Sequence, residues 1–226
     1  LAGYPFNGKA ADESWQNLDG SVSGVTLTQD RSGDDNSALL FDGTSGYIST
    51  PLQYAGYFDS GDPIQFNCWF RTSQVPASGK YILGGNPGNM PDFALTLQPS
   101  GYVSAVLYAC ESPAFSDEPL NDNRWHYVSF GWDGDTSVFY IDGIEQVSLP
   151  ANVVNSTLQD YLWLGARNPS GPADFFEGEI DDVRIYDRSL NESGILQLYA
   201  NYHPPYPFRV KTGDKQVFLS WGSERW

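Results

Sequence analysis

The sequence is a succession of short strand-like segments, each bounded by glycine, asparagine, aspartate or proline. Runs of β-branched, aromatic and aliphatic residues between turn-forming residues are typical of β-strands. The candidate strands are 4–6, 25–28, 38–41, 47–49, 64–71, 81–84, 93–97, 103–109, 125–132, 137–141, 145–148, 161–165 and 178–186. With hairpin signals such as Asp142-Gly143, they predict an all-β fold made of two packed antiparallel sheets. One short helix is expected at 191–199.

The charge balance limits the partners of this chain. Its 28 acidic and 12 basic residues give a formal net charge of −16. Phosphate backbones need clustered Lys and Arg, so this balance argues against nucleic acid as a partner. No segment approaches the roughly 20 apolar residues of a membrane span, so we expect no membrane insertion. Because the chain starts at Leu1 without Met, we expect a processed or excised segment.

The chain contains two cysteines, Cys68 and Cys110, and both lie in strand-like runs. They either pair as a disulfide or remain two isolated buried thiols, and the sequence leaves both alternatives open. Neither cysteine has a second thiol or a histidine close in sequence, so zinc binding is not expected.

A proline-rich stretch divides the chain. We expect one domain over 1–202, an extended linker at 203–207 and a separate end segment at 208–226. The end segment holds two strand-like runs, 208–211 and 216–221, but about twenty residues cannot bury a core of their own. It is either the start of a further β-module or a hairpin that packs back on the sandwich.

The segment 178–186 carries acidic residues inside a strand pattern. Strict alternation predicts one face with Ile180, Asp182, Arg184 and Tyr186, and another, buried face with Glu179, Asp181, Val183 and Ile185. A carboxylate next to a core needs a cation, a proton or strong hydrogen bonds, because bare burial costs several kcal/mol. This strand therefore either holds calcium or forms half of a carboxylate catalytic site.

Five segments together resemble the LamG-like (concanavalin A-like) jelly roll of secreted bacterial multidomain proteins, over roughly residues 3 to 200. The segments are 4–8 with 12–14, 38–43 with 46–48, 66–72, 124–128 with 132–134 and 140–143, and 164–165 with 178–186. The end segment in turn resembles the truncated start of a fibronectin type III module. The resemblance implies a two-sheet jelly roll in a secreted or cell-surface protein.

The resemblance also implies one structural calcium ion. A carboxylate two residues before the Val of the last strand is a ligand in related glucanases, which corresponds to Asp181 here. Pro5, Asp42 and Gly43 are the corresponding neighbours. LamG-like domains also place a loop rich in Asp and Asn near calcium, and here this loop would supply Asp12 and Asn17. The departure is Trp15-Gln16, where the family has small residues.

The run Glu179-Ile180-Asp181 begins like the active-site strand of glucanases, which carries a third carboxylate. In this sequence the third acid would fall at Val183 or Arg184, and neither can protonate a leaving group. Retaining hydrolysis needs two suitably spaced carboxyl groups, so we expect no catalysis by this strand. The histidines and serines show no hydrolase motif either. The chain is predicted not to be an enzyme.

Loops of such sandwiches carry recognition, because strands are occupied by packing. Sugar recognition needs an aromatic face and planar polar groups, and four loop residues offer these: Tyr57, Arg167, Asn168 and Phe175. We therefore expect a non-catalytic, calcium-stabilised recognition or adhesion module that binds a glycan or an extracellular protein surface for a larger protein. The alternative is a structural spacer in an extracellular stalk, whose partners are the neighbouring modules alone.

Overall fold

The computed structural model describes residues 2–53, 62–85, 93–107, 113–150, 161–168, 171–202, 209–213 and 216–220. These residues form seventeen strands and one helix. In chain order the strands are β1 (Ala2–Tyr4), β2 (Ser21–Ser23), β3 (Thr26–Thr28), β4 (Ala38–Asp42), β5 (Tyr47–Gln53), β6 (Ile64–Arg71), β7 (Lys80–Gly85), β8 (Phe93–Leu97), β9 (Val103–Leu107), β10 (Ala114–Phe115), β11 (Trp125–Trp132), β12 (Thr136–Ile141), β13 (Ile144–Pro150), β14 (Tyr161–Leu164), β15 (Glu177–Tyr186), β16 (Arg209–Gly213) and β17 (Gln216–Ser220). The helix α1 spans Glu192–Tyr202, which confirms the expected helix.

Two antiparallel sheets build the domain. Sheet A has the strand order β13-β12-β11-β6-β15-β4-β3, with β1 paired to β15 beside β4. Sheet B has the order β10-β9-β8-β7-β14-β5-β2. The prediction of a two-sheet antiparallel sandwich is confirmed. The sequence patterns missed the short strands β2 and β10.

The hydrophobic core lies between the two sheets. The rings of Phe66 from sheet A and Phe93 from sheet B stack with centroids 3.7 Å apart, and Phe130 of sheet A stacks on Phe93. Every second residue of a strand contributes to this core, because successive side chains point to opposite faces of a sheet. The remaining side chains of the strands lie on the two outer faces of the sandwich.

The strict alternation predicted for 178–186 is wrong. Asp181 pairs with Trp69 of β6, and the next pair along the two strands joins Arg184 to Asn67. Two residues of β15 therefore lie opposite one residue of β6, so β15 carries one extra residue. Asp182 forms this β-bulge with a φ of 44°. The bulge resets the alternation, so that Ile180, Val183 and Ile185 enter the core. Asp181 therefore lies on the outer face of sheet A and not among the aliphatic residues.

Helix α1 covers part of this outer face. Trp69, Tyr127, Tyr140 and Ile195 form a second buried apolar cluster, and Tyr199 of the helix stacks on Trp69 with ring centroids 5.6 Å apart. Sheet A thus has a covered outer face, whereas sheet B has none among the described residues.

Strands β16 and β17 pair with each other in a two-stranded sheet of their own. The strands expected in the end segment are therefore present, and its likeness to a fibronectin type III start stays a prediction. The predicted linker at 203–207 lies outside the described residues. Cys68 is a buried free thiol, and Cys110 lies outside the described residues. No helical segment in the described part of the chain combines the length and hydrophobicity of a membrane span.

Candidate functional site

Aromatic side chains collect on the outer face of sheet B. Ile48 of β5 and Leu164 of β14 are fully buried in the core, so their neighbours Tyr47 and Trp163 point outward. The two outward rings stack with centroids 4.8 Å apart and an interplanar angle of 27°. Both residues of the pair are half-buried.

Strand β7 adds a third ring to this face. The pairing of β7 with β8 is irregular between Tyr81 and Leu83, so Ile82 and Leu83 both enter the core. Tyr81 is left on the outer face, where its ring lies directly over Gly84. Gly84 is paired with Trp163. The rings of three adjacent strands therefore form a row across the sheet.

A cleft of about 380 Å³ opens beside Trp163. Tyr161, two residues earlier on the same face of β14, lines it and is 49% exposed. The polar lining residues are Asp19, Ser21, Ser49, Thr50 and Asn168. The cleft thus combines two aromatic side chains with hydroxyl, amide and carboxylate groups.

The cationic groups near this cleft have acidic partners. Arg167 donates a hydrogen bond from Nε to Asp174, and its guanidinium lies 5.6 Å from the centre of the Tyr81 ring. Lys80 lies 3.9 Å from the same carboxylate. Burial raises the pKa of the Tyr81 phenol, and the charge of Asp174 adds to this while Arg167 opposes it. The phenol therefore stays neutral and acts as a hydrogen-bonding group.

The predicted ligand residues are only partly brought together. Asn168 lines the cleft, and its Oδ1 accepts a hydrogen bond of 2.8 Å from the Gly171 amide. Isolated β-bridges join the backbone of Arg167 to Ala173 and that of Phe175 to Tyr81. Arg167 and Phe175 therefore lie beside the aromatic row, which consists of Tyr47, Trp163 and Tyr81. Tyr57 lies outside the described residues. Sequence reasoning missed the aromatic row itself, although the alternation within 47–53 and 161–164 was the signal that could have found it.

Asp12, a predicted calcium ligand, holds its own loop together. Its Oδ1 accepts hydrogen bonds from the Gly3 and Ser14 amides, and its Oδ2 accepts them from the Ser14 hydroxyl and the Leu18 amide. Burial would raise the pKa of Asp12, but these hydrogen bonds outweigh burial and lower it. Asn17 lies in the same loop with a φ of 53°. The lone pairs of Asp12 are therefore already used by donors of the chain.

Asp42 is occupied in the same way. Its Oδ1 accepts hydrogen bonds from the amides of Thr44, Ser45 and Gly46, and its Oδ2 from the two hydroxyls of this turn. These hydrogen bonds lower its pKa well below the ordinary value. Asp42 is opposite Glu177 in the sheet. Because Asp181 lies four residues after Glu177, Asp42 and Asp181 are separated by about 13 Å along the direction of β15.

Asp181 has a protein cation as its partner. The Arg31 guanidinium donates hydrogen bonds to Asp181 and to Asp182 at the bulge. Pro5 follows β1 and lines a different cavity of about 280 Å³, together with Gly3, Glu13 and Arg184. Gly43 adjoins Glu177. The structure thus does not bring the predicted calcium ligands to one point.

A calcium ion takes six to eight oxygen ligands, and these carboxylates do not fit that requirement as they stand. Asp12, Asp42 and Asp181 each face hydrogen-bond donors of the chain. Within the described residues, no group of three or more acidic, His or Cys side chains could hold a metal ion. Calcium binding by this chain stays a prediction.

The other carboxylate of the last strand, Glu179, is also paired. Arg71 donates to it from Nε and from Nη2, the latter at 2.7 Å, and the Thr28 hydroxyl lies 3.3 Å away. The next outward residues on this strand are Asp181 and Arg184. Glu179, Asp181 and Asp182 of this strand are therefore engaged in ion pairs. A glycosidase instead needs one carboxylate that acts as nucleophile or base and one carboxylic acid that protonates the leaving group.

The fold defines a class of protein, the two-sheet jelly rolls. The family model of the concanavalin A-like lectin/glucanases superfamily matches residues 42–196, more than half of the chain. The chain therefore belongs to this superfamily. No curated protein sequence matches the chain.

Solved structures share the fold at low sequence identity. Domain 4 of AbnA, a GH43 extracellular arabinanase from Geobacillus stearothermophilus solved in complex with arabinotriose, is 20% identical with a TM-score of 0.65, covering 88% of this chain and 97% of that domain. The botulinum neurotoxin serotype D binding domain is 14% identical with a TM-score of 0.70, covering 88% of this chain and 50% of that one.

Trypanosoma rangeli sialidase is 17% identical with a TM-score of 0.68, covering 89% of this chain but 33% of that one. The present chain thus spans half or less of the toxin and sialidase chains, and nearly all of the arabinanase domain. The fold is shared by binding domains and by enzymes of carbohydrate chemistry.

Proposed function

We propose that this chain is a non-catalytic carbohydrate-recognition module that works outside the cell as part of a larger protein. The observation that carries the proposal is the cleft beside Trp163. It joins stacked and exposed aromatic rings to a small set of polar groups, which is the usual composition of a site for small organic ligands. Aromatic faces pack against the apolar face of a sugar ring, while the amide of Asn168 and the hydroxyls of Ser21 and Ser49 can bond its hydroxyl groups.

The charges of the site favour uncharged sugars. The described residues that line the cleft include Asp19 but no Lys or Arg, and the neighbouring Arg167 is already paired with Asp174. The net charge of −16 would also repel uronates, sialic acids and sulfated glycans. We therefore infer that the ligand is a neutral oligosaccharide or polysaccharide.

The relatives support a binding role. One structure of the same fold is an accessory domain of an extracellular arabinanase in complex with arabinotriose, and others are toxin binding domains. The absence of catalysis is supported by the ion pairs at Glu179, Asp181 and Asp182, which occupy three of the four carboxylates of the last strand and leave only the exposed Glu177 at its start without an ion pair among the described residues.

The test is a binding screen of the purified chain against neutral and acidic polysaccharides, run with calcium and repeated with a chelator. We expect binding to neutral glycans that weakens at least about tenfold, or about 1.4 kcal/mol, in Trp163→Ala. Trp15→Ala is the matched control, because Trp15 is 82% exposed and does not line the cleft. Its affinity should equal that of the parent protein.

Four results would overturn all or part of this proposal. Loss of binding in Trp15→Ala but not in Trp163→Ala would place the site elsewhere. Preferential binding of acidic glycans would refute the inferred class of ligand. A blank screen with folded protein would favour the structural spacer in an extracellular stalk. Hydrolysis of any bound glycan would refute the statement that the module is non-catalytic.

A further inference from the structure

The bulge in β15 places two carboxylates side by side at a buried position. Asp181 and Asp182 are 1% and 7% exposed, and the left-handed backbone of Asp182 turns both side chains toward the turn between β3 and β4. Two adjacent buried carboxylates repel each other and lose their hydration, which makes this arrangement costly without positive charge. Burial and the charge of Asp182 indeed raise the pKa of Asp181, while Arg31 opposes the rise.

Arg31 supplies that positive charge from 150 residues earlier in the chain. Its Nη1 donates to Asp181, and its Nη2 lies 2.5 Å from Oδ2 of Asp182. The planar guanidinium therefore bridges both carboxylates with one nitrogen each. Its side chain is 6% exposed, and its Cζ lies 4.9 Å from the centre of the Trp69 ring. The ring adds a cation–π contact on the side away from solvent.

A second cation lies beside Asp182, and the nearby Asp30 adds a third negative charge that helps to raise the pKa of Asp181. Nη2 of Arg184 lies 3.6 Å from Oδ1 of Asp182, so two guanidinium groups face two carboxylates. The turn that carries Arg31 is itself braced by Asp30, whose Oδ1 accepts hydrogen bonds from the Ser32 and Asp34 amides. The hydrogen bonds within the turn thus help to position Arg31 independently of its contacts with the last strand.

We propose that Arg31 is a built-in cation that performs, at the bulge of the last strand, the structural role that the resemblance assigned to calcium. A divalent ion would have to displace the guanidinium, because Arg31 already lies against both carboxylates and the charges of Arg31 and Arg184 would repel a further cation. The contact also joins the β3–β4 turn to β15, which is the tie that a bridging metal ion provides.

The first measurement is the calcium response, defined as the melting temperature in calcium minus that in chelator. We expect the response of Asp181→Asn to equal that of the parent protein, because no calcium ion is bound by Asp181. Calorimetric titration with calcium should likewise give the same number of sites for both proteins. Should Asp181→Asn not fold, the same comparison is made with Asp182→Asn.

The second measurement uses Arg31→Met. We expect its melting temperature to fall by about 10 °C, because two buried carboxylates lose their cation. Calcium should recover part of this loss, and adding Asp181→Asn should abolish the recovery. The control is Arg124→Met, whose side chain is 81% exposed beside Asp122 and whose loss should change little.

Either of two results would overturn the proposal. One is a calcium response in the parent protein that disappears in Asp181→Asn. The other is an Arg31→Met protein that melts at the parent temperature in chelator. Both results would mean that Arg31 does not hold the carboxylates of the last strand. Glycan binding is independent of this test, since the cleft lies on the other sheet.

Discussion

At the scale of single residues, the Asp12 carboxylate organises a loop that sequence patterns alone associate with metal. Because it accepts hydrogen bonds from Gly3, Ser14 and Leu18, it ties β1 to both ends of the loop. The ionised form is the better acceptor, which is why its pKa is lowered. The stability that Asp12 contributes is therefore present above its unfolded-state pKa and is lost as the pH falls through the lowered folded-state value.

We expect Asp12→Ala to lower the free energy of unfolding by about 2–3 kcal/mol at pH 7, because the buried amide of Leu18 and the partly buried amides of Gly3 and Ser14 lose their acceptor. The difference from the parent should shrink near pH 3. Urea denaturation at the two pH values measures both effects. Exposed Asp135 provides the control Asp135→Ala, which should match the parent. A variant as stable as the parent at pH 7 would contradict the role of Asp12.

His126 is a second residue with a pH-dependent contribution. Its Nδ1 lies 2.9 Å from Asp142 and its Nε2 lies 3.0 Å from Asp122, and Phe70 packs 6.0 Å from its ring. Burial lowers the pKa of His126, but the two carboxylates outweigh burial and raise it above the ordinary value. The contribution is therefore fully present below the unfolded-state pKa and is lost as the pH rises through the folded-state value.

We expect the parent protein to exceed His126→Gln in stability by more at pH 6 than at pH 9. Chemical denaturation of both proteins at the two pH values gives this difference, and NMR titration of the ring checks the raised pKa directly. A difference that grows toward pH 9 would show that the neutral ring is the stabilising form.

At the scale of elements, a tight backbone approach at Gly165 positions the strands around the candidate site. Gly165 directly follows β14 with a φ of 77°, and a Cβ there would lie 2.2 Å from the Phe41 ring. The Gly165 amide donates a hydrogen bond to the Ile82 carbonyl, and the Gly165 carbonyl accepts one from the Phe176 amide. These hydrogen bonds join β14, which lines the cleft, to the core. Only glycine satisfies both the left-handed backbone and the close contact.

We expect Gly165→Ala to cost about 3 kcal/mol, since overpacking against Phe41 adds to left-handed strain. Thermal denaturation measures the loss. Gly3→Ala is the matched control, because a Cβ there meets nothing within 4 Å. Equal melting temperatures for Gly165→Ala and the parent would contradict the packing at this position.

Helix α1 acts as the cover of sheet A. Its Tyr199 stacks on Trp69, and both its Leu196 and Tyr199 pack closely against Gly143 of the β12–β13 hairpin. The helix therefore buries a tryptophan that would otherwise face water on the outer surface of the sheet.

We expect Tyr199→Ala to destabilise the protein by about 2 kcal/mol and to shift tryptophan fluorescence to the red, because Trp69 becomes hydrated. Fluorescence-detected urea denaturation records both changes. The exposed neighbour Gln197 supplies the control Gln197→Ala. An unchanged emission maximum in Tyr199→Ala would mean that the helix does not shield Trp69.

At the scale of the whole molecule, the net charge of −16 opposes compaction. The Debye length falls from about 30 Å at 0.01 M salt to about 8 Å at 0.15 M, so salt screens the repulsion between distant carboxylates. The described ion pairs, such as Arg71–Glu179, are short-range and are screened less.

We therefore expect the melting temperature at pH 7 to rise by a few degrees, or about 1 kcal/mol, as NaCl increases from 0.01 to 0.15 M. Near the isoelectric point of about 4.2 the same titration should have little effect. A melting temperature that falls with salt at pH 7 would show that attractive pairs dominate over the net repulsion.

Most of the fold follows from local patterns. Short apolar runs, turn residues such as Asp142-Gly143 and the position of the one helix found in the described residues are sufficient to predict a two-sheet sandwich, because each depends on neighbours in the chain. The candidate site was predicted less well. Asn168 was named, but Tyr47, Tyr81 and Trp163 come from three different strands, and their meeting depends on strand order within sheet B.

Residues close together in the chain account for the turns, for the alternation in strands that carry no bulge, and for the supply of acidic and aromatic side chains. Which face those side chains occupy and which partners they meet depends on contacts between distant strands. The bulge at Asp182 depends on pairing with β6, and the pairing of Arg31 with Asp181 spans 150 residues. The physical reason is that register and bulges are set by the packing of both sheets together, whereas propensity and alternation act over a few residues.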